Sequence, residues 1–321
     1  TLEPQRPPHI GVLLPNVAEY VFQILGAALA GTCIVGINPT RGPADMAADI
    51  RHADCQLIVT DAARLDLALA LDHGLDPAAI LCIDDPAYAA ALDRHREQPA
   101  AAPGVGPREL LLLLFTSGTT GTSKAVRCTQ GRLARIAHTA AGKFGHVRDD
   151  VEYCCMPLFH GNAIMALWAP ALSVGATVCL TPSFSASGFL PDVRYFGATF
   201  FTYVGKALGY LLATPAAADD ADNTLQRGFG TEASPEDQSE FRRRFGAVLH
   251  EGYGSSEGGA VALPDPAAPA GALGRPAHDG VVIVDPETMQ PCAAAVLDPH
   301  GRVLNADAAV GEIVDQRGVR D

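Results

Sequence analysis

The sequence predicts an α/β protein with two stacked, doubly wound, mostly parallel sheets that carry helices on both faces, followed by a smaller β-rich subdomain. Short β-branched or leucine-rich runs alternate with helix-like runs over the first 250 residues, as in parallel sheets covered by helices. These runs predict more strands than one sheet comfortably holds, so we expect two sheets. After about residue 260 the chain becomes rich in proline and alanine, and only short strand-like runs follow.

The individual elements are predicted from length, apolar pattern and flanking turn residues. The strand-like runs of the α/β part are Ile10–Leu14, Cys33–Ile37, Leu57–Thr60, Ile80–Ile83, Leu110–Thr116, Ala176–Leu180, Thr199–Tyr203 and Ala247–Tyr253. Helix-like patterns lie between them at Val17–Ala30, Arg132–Lys143, Ile164–Leu172, Lys206–Ala213 and Glu236–Phe245. The β-rich part is predicted to contain strands Val281–Val284, Ala295–Leu297 and Glu312–Val314.

Composition shifts along the chain suggest three segments. The stretch Gln98–Gly104 is rich in proline and alanine and has the character of a linker. We therefore expect a first α/β lobe over residues 1–98, a second over 105–260, and the small β-rich subdomain over 261–321.

The net charge of the chain argues against some classes of binding partner. The chain of 321 residues has a formal net charge of −13, which argues against nucleic acid and anionic membrane as broad electrostatic partners. Its eight cysteines show no C-x-x-C pair, so we expect reduced thiols in a cytoplasmic protein without a zinc site. Peripheral membrane contact and oligomeric state stay open.

An uncharged run, Tyr20–Thr40, has the length of a membrane span. Its glycines, together with Asn38-Pro39 at its end, divide it into shorter pieces. We therefore expect a buried helix of about 13 residues followed by a short strand rather than a transmembrane helix.

The most informative stretch is 110-LLLLLFTSGTTGTSKAV-126, in which a leucine-rich strand runs into a loop of hydroxyls and glycines that ends at Lys124. Glycine lets backbone N–H groups approach an anion, hydroxyls donate further hydrogen bonds, and lysine adds a mobile positive charge. The predicted ligand of this loop is a polyphosphate. The stretch is not the P-loop G-x-x-x-x-G-K-[ST], because Ser123 precedes Lys124 and Ala125 follows it. The alternative is a polar surface loop.

A second stretch, 251-EGYGSSEGG-259, has two interpretations. Gly254–Gly258 satisfies G-x-S-x-G, the turn that presents a hydrolase serine, and Asp265 or Asp279 with His278 or His300 could complete a triad. That turn requires a following helix, for which the Gly258-Gly259 pair and the prolines after it leave no room. The other interpretation is a glycine-rich nucleotide-binding turn with Glu257 as an acidic metal ligand.

A third stretch, Gly228–Ala233, spells G-x-G-x-x-A. As a dinucleotide fingerprint it is weak, because no clear strand precedes it and the next helix begins too late, after Ser234. It stays open as backbone that lines another ligand.

Together and in this order, these motifs resemble the adenylate-forming superfamily of acyl-CoA synthetases, nonribosomal adenylation domains and luciferases. The phosphate loop of that family matches Thr116–Lys124, and its Y-G-x-[ST]-E motif matches Tyr253–Glu257. The segment Met156–Asn162 is similar to its P-L-F-H segment near the acyl carboxylate. Phe201–Gly205 is similar to the fatty-acid-transport-protein and mycobacterial types of long-chain acyl-CoA ligase. The similarity extends over essentially the whole chain.

The resemblance implies a ligase that converts a long-chain fatty acid and Mg-ATP to acyl-AMP, and then, with coenzyme A, to acyl-CoA and AMP. It assigns Mg²⁺ to Thr116 and Glu257 and the carboxylate to His160, and catalytic roles to Lys124, His160 and Glu257. The residues implied to bind the nucleotide are Thr116, Ser117, Gly118, Thr119, Thr120, Gly121, Lys124, Gly230, Thr231, Glu232, Gly252, Tyr253, Gly254, Ser255 and Ser256. Those implied to contact the acid are His160, Tyr203, Val204 and Gly205.

The chain departs from the family pattern in three ways. Ser123 stands where the family usually has proline, and Ser256 where threonine is commoner. The ribose-binding aspartate, the hinge and the C-terminal domain with the adenylation lysine would follow Asp321, and the first lobe starts late. The resemblance thus implies an N-terminal domain.

Two alternatives to the ligase remain from the sequence. The first is a non-catalytic homologue that binds nucleotide or an acyl ligand, and the second is a serine hydrolase that uses Ser256. Fluorophosphonate labelling of Ser256 would favour the hydrolase, and full ligase activity of Ser256→Ala without labelling would exclude it.

Overall fold

The computed structural model describes residues 2–98, 104–116, 123–254, 258–263, 265, 267–269 and 272–317. The chain divides into two compact units, Thr1–Thr202 and Tyr203–Asp321. The first boundary predicted from composition, near residue 100, falls inside unit 1. The predicted three-segment division stays a prediction.

Unit 1 alternates strands and helices, as the sequence predicts. Its strands are β1 (His9–Leu13), β2 (Cys33–Gly36), β3 (Leu57–Thr60), β4 (Ile80–Cys82), β5 (Leu110–Thr116), β6 (Lys124–Thr129), β7 (Val151–Cys154) and β8 (Thr177–Leu180). Its helices are α1 (Ala18–Ala30), α2 (Pro43–His52), α3 (Ala62–Ala70), α4 (Pro86–Asp93), α5 (Gln130–Phe144), α6 (Gly161–Ala163), α7 (Ala169–Val174) and α8 (Phe189–Phe196). A 3₁₀ turn occupies Pro77–Ala79, and a π-helical turn, Ile164–Trp168, joins α6 to α7.

Among the described residues, the first sheet has six strands in the order β4-β3-β1-β2-β5-β6. All neighbours are parallel except β5 and β6, which form an antiparallel pair. Crossover helices between parallel strands explain the continuous apolar runs, since both faces of such a sheet are buried. The predicted α/β fold class with parallel sheets flanked by helices is confirmed.

The core beside the first sheet is aliphatic. Leu13, Val35, Ile58 and Leu113, which come from four neighbouring strands, are each at most 6% exposed and pack with residues of α2 and α3 such as Ile50. This burial stabilises the central strands. Their carboxyl ends lie at one edge of the sheet because the strands are parallel.

The long uncharged run folds as predicted. Helix α1 buries Tyr20, Ile24 and Ala27 on one face and ends at Gly31, whose φ of 70° and N–H bond to the carbonyl of Ala27 form a left-handed cap. Strand β2 follows and is buried throughout. Within the described residues, no helix is both long and apolar enough to cross a membrane.

The end of unit 1 holds the strand set β9-β7-β8, in which β9 (Phe200–Val204) is parallel to β7. The division between the units falls inside β9.

In unit 2, the end of β9 is followed by α9 (Gly205–Leu212), β10 (Arg227–Thr231), α10 (Pro235–Phe245) and β11 (Val248–Glu251), with β10 and β11 parallel. Two antiparallel pairs come next. They are β12 (Ala262–Leu263) with β13 (Arg275–Pro276), and β14 (Val281–Val284) with β15 (Glu312–Asp315), and α11 (Ala306–Ala309) precedes β15.

The prediction of a strand at Ala295–Leu297 is wrong. Only an isolated bridge joins Leu297 to Val303. The carboxylate of Asp298 accepts hydrogen bonds from the N–H groups of His300 and Arg302, and Gly301 has a φ of 81°. This turn reverses the chain before the alanine-rich run can extend into a strand.

Candidate functional site

The predicted phosphate loop connects two adjacent antiparallel strands. Thr116 ends β5, Lys124 begins β6, and the two residues are register partners. A P-loop instead runs from its strand into a helix. Ser117, Gly118, Thr119, Thr120 and Gly121 lie outside the described residues. The structure therefore places the predicted metal ligand Thr116 beside the predicted phosphate-binding Lys124.

Ser123, the residue before Lys124, is held by α2 and the turn before it. The guanidinium of Arg41 donates a hydrogen bond to the hydroxyl of Ser123 and lies 3.0 Å from the carboxylate of Asp49. The Asp49 side chain is only 7% exposed, and burial raises its pKa while the neighbouring Arg41 opposes this. The hydroxyl that replaces the family's usual proline thus has a defined partner.

The segment that carries His160 follows β7 and precedes α6. Leu158 and Phe159 are buried, whereas His160 keeps part of its surface exposed to solvent, and its ring packs against Phe159 with 4.7 Å between centroids. The N–H of His160 donates to the carbonyl of Pro157 at 3.0 Å. Partial burial of the ring lowers the pKa of His160, which favours the neutral imidazole.

Within unit 2, several predicted site residues form one cluster. The buried Tyr203 donates a hydrogen bond of 2.5 Å to the carboxylate of Glu251. The same carboxylate accepts backbone N–H bonds from Glu232 and Ala233. Glu232 has a φ of 74°, a left-handed conformation that is unfavourable for glutamate. Burial raises the pKa of Glu251 despite these hydrogen bonds.

Two glycines allow this cluster to close. A Cβ at Gly205 would lie 2.2 Å from the carbonyl oxygen of Glu232, and one at Gly230 would lie 2.4 Å from the ring of Tyr203. Val204 precedes Gly205, and Thr231 lies between Gly230 and Glu232. The structure therefore brings together Tyr203 and the stretch 230–232, which the resemblance assigned to acid and nucleotide respectively.

The residues Gly252, Tyr253 and Gly254 follow β11. The N–H of Gly252 donates to the carbonyl of Gly230 at 3.2 Å, and Tyr253 pairs with Ala262 through two backbone hydrogen bonds of 3.0 and 3.1 Å. The Tyr253 side chain is 39% exposed. Gly254 is the last described residue before the gap, and Ser255, Ser256 and Glu257 lie outside the described residues.

The helix that a hydrolase would need after Ser256 does not follow in residues 258–263. Residues 258–263, which are described, contain Gly258 and Gly259 with φ of 86° and 92° and then strand β12. A nucleophile elbow leads directly into a helix of several turns. This stretch does not have that geometry.

Arg41, Asp49 and Glu251 were not identified from the sequence. Arg41 and Asp49 lie beside Ser123 of the predicted phosphate loop but are distant from it along the chain. Glu251 lies beside Tyr203. Only one weak feature of the sequence points to Arg41 as a site residue. It follows the Asn38-Pro39 turn after a buried strand, where the parallel strands end.

A family model described as "AMP-binding enzyme" matches residues 2–314. The steroid-22-oyl-CoA synthetase of Rhodococcus jostii is 64% identical over 319 residues, which cover 99% of this chain and 58% of that protein. The medium/long-chain-fatty-acid–CoA ligase FadD17 of Mycobacterium marinum is 42% identical over 317 residues, which cover 99% and 59%. The chain thus spans less than two thirds of the length of these relatives.

Two solved structures share the fold. The N-terminal domain of FACL13 from Mycobacterium tuberculosis has a TM-score of 0.72 at 20% identity over 93% of this chain and 73% of that one. A benzoate CoA ligase from Burkholderia xenovorans has a TM-score of 0.76 at 21% identity over 96% and 66%. At these identities the likeness concerns the fold alone. The family model and the 64% identical relative, in contrast, match this chain in amino-acid sequence. The chain belongs to the AMP-binding enzyme family.

Proposed function

We propose that this chain is the N-terminal part of an AMP-forming acid–CoA ligase. In the first step a carboxylate attacks the α-phosphate of Mg-ATP, which gives acyl-AMP and pyrophosphate. In the second, coenzyme A displaces AMP and forms the thioester. The observation that carries the proposal is the 64% identity to a CoA synthetase over 99% of this chain.

The residue types suit this chemistry. Attack of one anion on another requires positive charge and preorganised donors at the phosphates, together with a metal ion. In this proposal Lys124 and the loop before it hold the β- and γ-phosphates, Thr116 and Glu257 bind Mg²⁺, and Ser256 contacts the α-phosphate. Mg²⁺ would supply charge neutralisation at the phosphates, and a threonine hydroxyl and a carboxylate are oxygen ligands that it accepts.

The remaining roles concern orientation. Tyr253 and Gly230–Glu232 would flank the adenine, and His160 would border the carboxylate of the acid. The lowered pKa of His160 supports a neutral imidazole at neutral pH, which can donate a hydrogen bond without forming an ion pair with the carboxylate. The segment from Tyr203 to Leu212 would line part of the acid-binding region.

For the acid we propose a steroid with a carboxylated side chain, as in the name of the 64% identical relative. A long-chain fatty acid is the second candidate, favoured by the 42% identical FadD17 and by the similarity of Phe201–Gly205 to long-chain acyl-CoA ligases. Both acids place a large apolar body behind one carboxylate.

ATP–pyrophosphate exchange by the full-length protein tests the proposal. We expect exchange with a steroid-22-oic acid, weaker exchange with palmitate and little with benzoate, a small control acid. Exchange with palmitate alone would assign the fatty acid instead. If no acid supports exchange while ATP still binds, the ligase proposal fails and the non-catalytic homologue is favoured.

Glu257→Ala tests the assigned metal ligand. We expect a loss of adenylation of roughly 100-fold or more, because the charge that Mg²⁺ neutralises develops in the transition state. Raising the Mg²⁺ concentration should restore part of the rate. An unchanged rate would remove Glu257 from the metal site.

A further inference from the structure

Asn16 is a buried polar residue whose role the motifs do not explain. It lies three residues after β1, beyond Pro15, at the edge of the first sheet where the parallel strands end. Asn16 is only 4% exposed to solvent. A buried amide side chain is costly unless its donors and acceptor are hydrogen-bonded.

Within the described residues, the side-chain hydrogen bonds of Asn16 go to one distant segment. Its amide nitrogen donates to the carbonyl of Met156 at 2.8 Å and to that of Cys154 at 3.4 Å. Its amide oxygen accepts from the N–H of Leu158 at 2.8 Å. One side chain therefore binds backbone groups 138 to 142 residues away.

Two of these backbone groups, the carbonyl of Met156 and the N–H of Leu158, lie outside regular secondary structure, whereas the carbonyl of Cys154 ends β7 and also accepts from the N–H of Thr181. Between the end of β7 at Cys154 and the start of α6 at Gly161, the described chain forms neither strand nor helix. Met156 is 5% exposed and Leu158 is fully buried, so water does not replace the missing hydrogen bonds. Asn16 supplies the pairing that a neighbouring strand would otherwise supply.

Gly36, at the end of β2, gives the segment a second contact. A Cβ at Gly36 would lie 3.1 Å from both Cα and Cβ of Phe159. The absent side chain therefore lets Phe159 pack directly against the end of the strand. Leu158 is held through its N–H and Phe159 through this close packing, and His160 is the next residue.

We infer that Asn16 is a positioning residue that fixes the backbone on which His160 is presented to the carboxylic acid. The inference rests on the proposed function of His160. Because the side chain of Asn16 is hydrogen-bonded to the segment that leads to His160, we expect its replacement to affect the use of the acid and not the binding of the nucleotide. In this inference Asn16 acts on the acid through the segment 154–158, to which its side chain is hydrogen-bonded.

The test uses the full-length protein with N16A and N16D. We expect N16A to raise the KM for the acid or lower kcat about tenfold in pyrophosphate exchange, since it removes the side-chain partner of the buried Leu158 N–H. The Kd for ATP should stay within about twofold. N16D has the same size and keeps the acceptor for Leu158, but its carboxylate faces the carbonyl of Met156 without a proton to donate. We expect N16D to be at least as impaired as N16A.

Q56A is the matched control. Gln56 is a buried amide in the same unit, 7% exposed, that also bonds backbone carbonyls of an irregular segment, including that of Pro7 at 2.9 Å. It precedes β3 and lies at the opposite edge of the sheet from Asn16. We expect Q56A to lower the Tm without changing the KM for the acid. If N16A and Q56A show the same pattern, Asn16 is merely structural and the inference is overturned.

A readout without substrate separates this inference from the proposed function. The pKa of His160, followed by NMR, should lie below its usual value in the wild type and in Q56A, and move toward the usual value in N16A. An unchanged His160 titration in folded N16A would overturn the inference even if the protein is a ligase. If the wild type shows no exchange with any acid, the proposed function fails while the titration still tests the positioning role. If N16A does not fold, the isosteric N16D decides by the same two measurements.

Discussion

Tyr203 occupies the space beside Gly230, so the two residues depend on each other sterically. The Tyr203 ring and its carbonyl occupy the space in which a side chain at position 230 would lie, at 2.4 to 2.6 Å from the Cβ position. The ring is placed there by the hydrogen bond from its hydroxyl to Glu251. The glycine is therefore required by a close approach of neighbouring groups and not by a turn.

Gly230→Ala should destabilise the protein by about 2 kcal/mol or more, because the methyl group forces the ring or the strand to move. Urea unfolding measures the change. Gly209→Ala is the control, since Gly209 lies in α9 with open space around its Cβ position. That control should gain about 0.5–1 kcal/mol, as alanine favours a helix interior over glycine. Equal stability of both variants would contradict the close approach.

Side-chain contacts connect the start of β6 in the β5–β6 hairpin to helix α2. The link is the set Arg41, Asp49 and Ser123, in which one guanidinium serves both a buried carboxylate and the residue beside Lys124. Helix α2 begins with Pro43 at its first turn, and Arg41 lies just before that turn. The start of β6 is thereby fixed by groups outside its own sheet.

Arg41→Ala should destabilise the protein by about 2 kcal/mol at about pH 7, because it leaves the buried Asp49 carboxylate without its cation. Burial already raises the pKa of Asp49, and losing Arg41 should raise it further. A carboxyl with a raised folded pKa stabilises most below its unfolded pKa and loses that stability as pH rises through the folded value. The deficit of Arg41→Ala should therefore shrink toward about pH 4 in urea unfolding.

The double variant Arg41→Ala with Asp49→Asn is the control for that result. It has no carboxylate to titrate at position 49, so its deficit relative to the wild type should change less with pH. A deficit of Arg41→Ala that is the same at both pH values would show that Asp49 is not the group left unpaired.

Some elements were predictable and others were not, for reasons that concern individual residues. Strands β3 and β5 have the predicted bounds because their continuous apolar runs suit a sheet buried on both faces. Strand β7 was not predicted. It contains Glu152, which is fully buried and paired with His146 at 2.7 Å. Strand β10 was not predicted because its sequence RGFGT contains two glycines, which usually weaken a strand.

All eight cysteines of the chain are free thiols. Five of them, Cys33, Cys55, Cys128, Cys154 and Cys155, are buried. Burial raises the pKa of Cys128 to about 11 and that of Cys154 to about 12, so little thiolate forms at neutral pH. This agrees with the reduced thiol set predicted from the spacing of the cysteines.

A thiol titration with Ellman's reagent at about pH 8 checks this burial. In the native protein we expect reaction of only the three partly buried thiols, Cys82, Cys179 and Cys292, and of all eight in denaturant. A reducing agent should leave the Tm unchanged, because no disulfide contributes to stability. Fast reaction of a buried thiol in the native state would show that its surroundings open.

The fold class and the local motifs could be read from the sequence alone, because apolar periodicity and residue spacing are properties of neighbouring positions along the chain. The order of those motifs carried the resemblance to the family, which the family model confirms. The distant residues that support those motifs became visible only in the folded chain. Asn16 binds backbone about 140 residues away, and Arg41 reaches Ser123 across 82 positions. A hydrogen bond between such positions leaves no periodic mark in the sequence, since it depends on how strands are ordered in a sheet. Only folding brings those atoms to bonding distance.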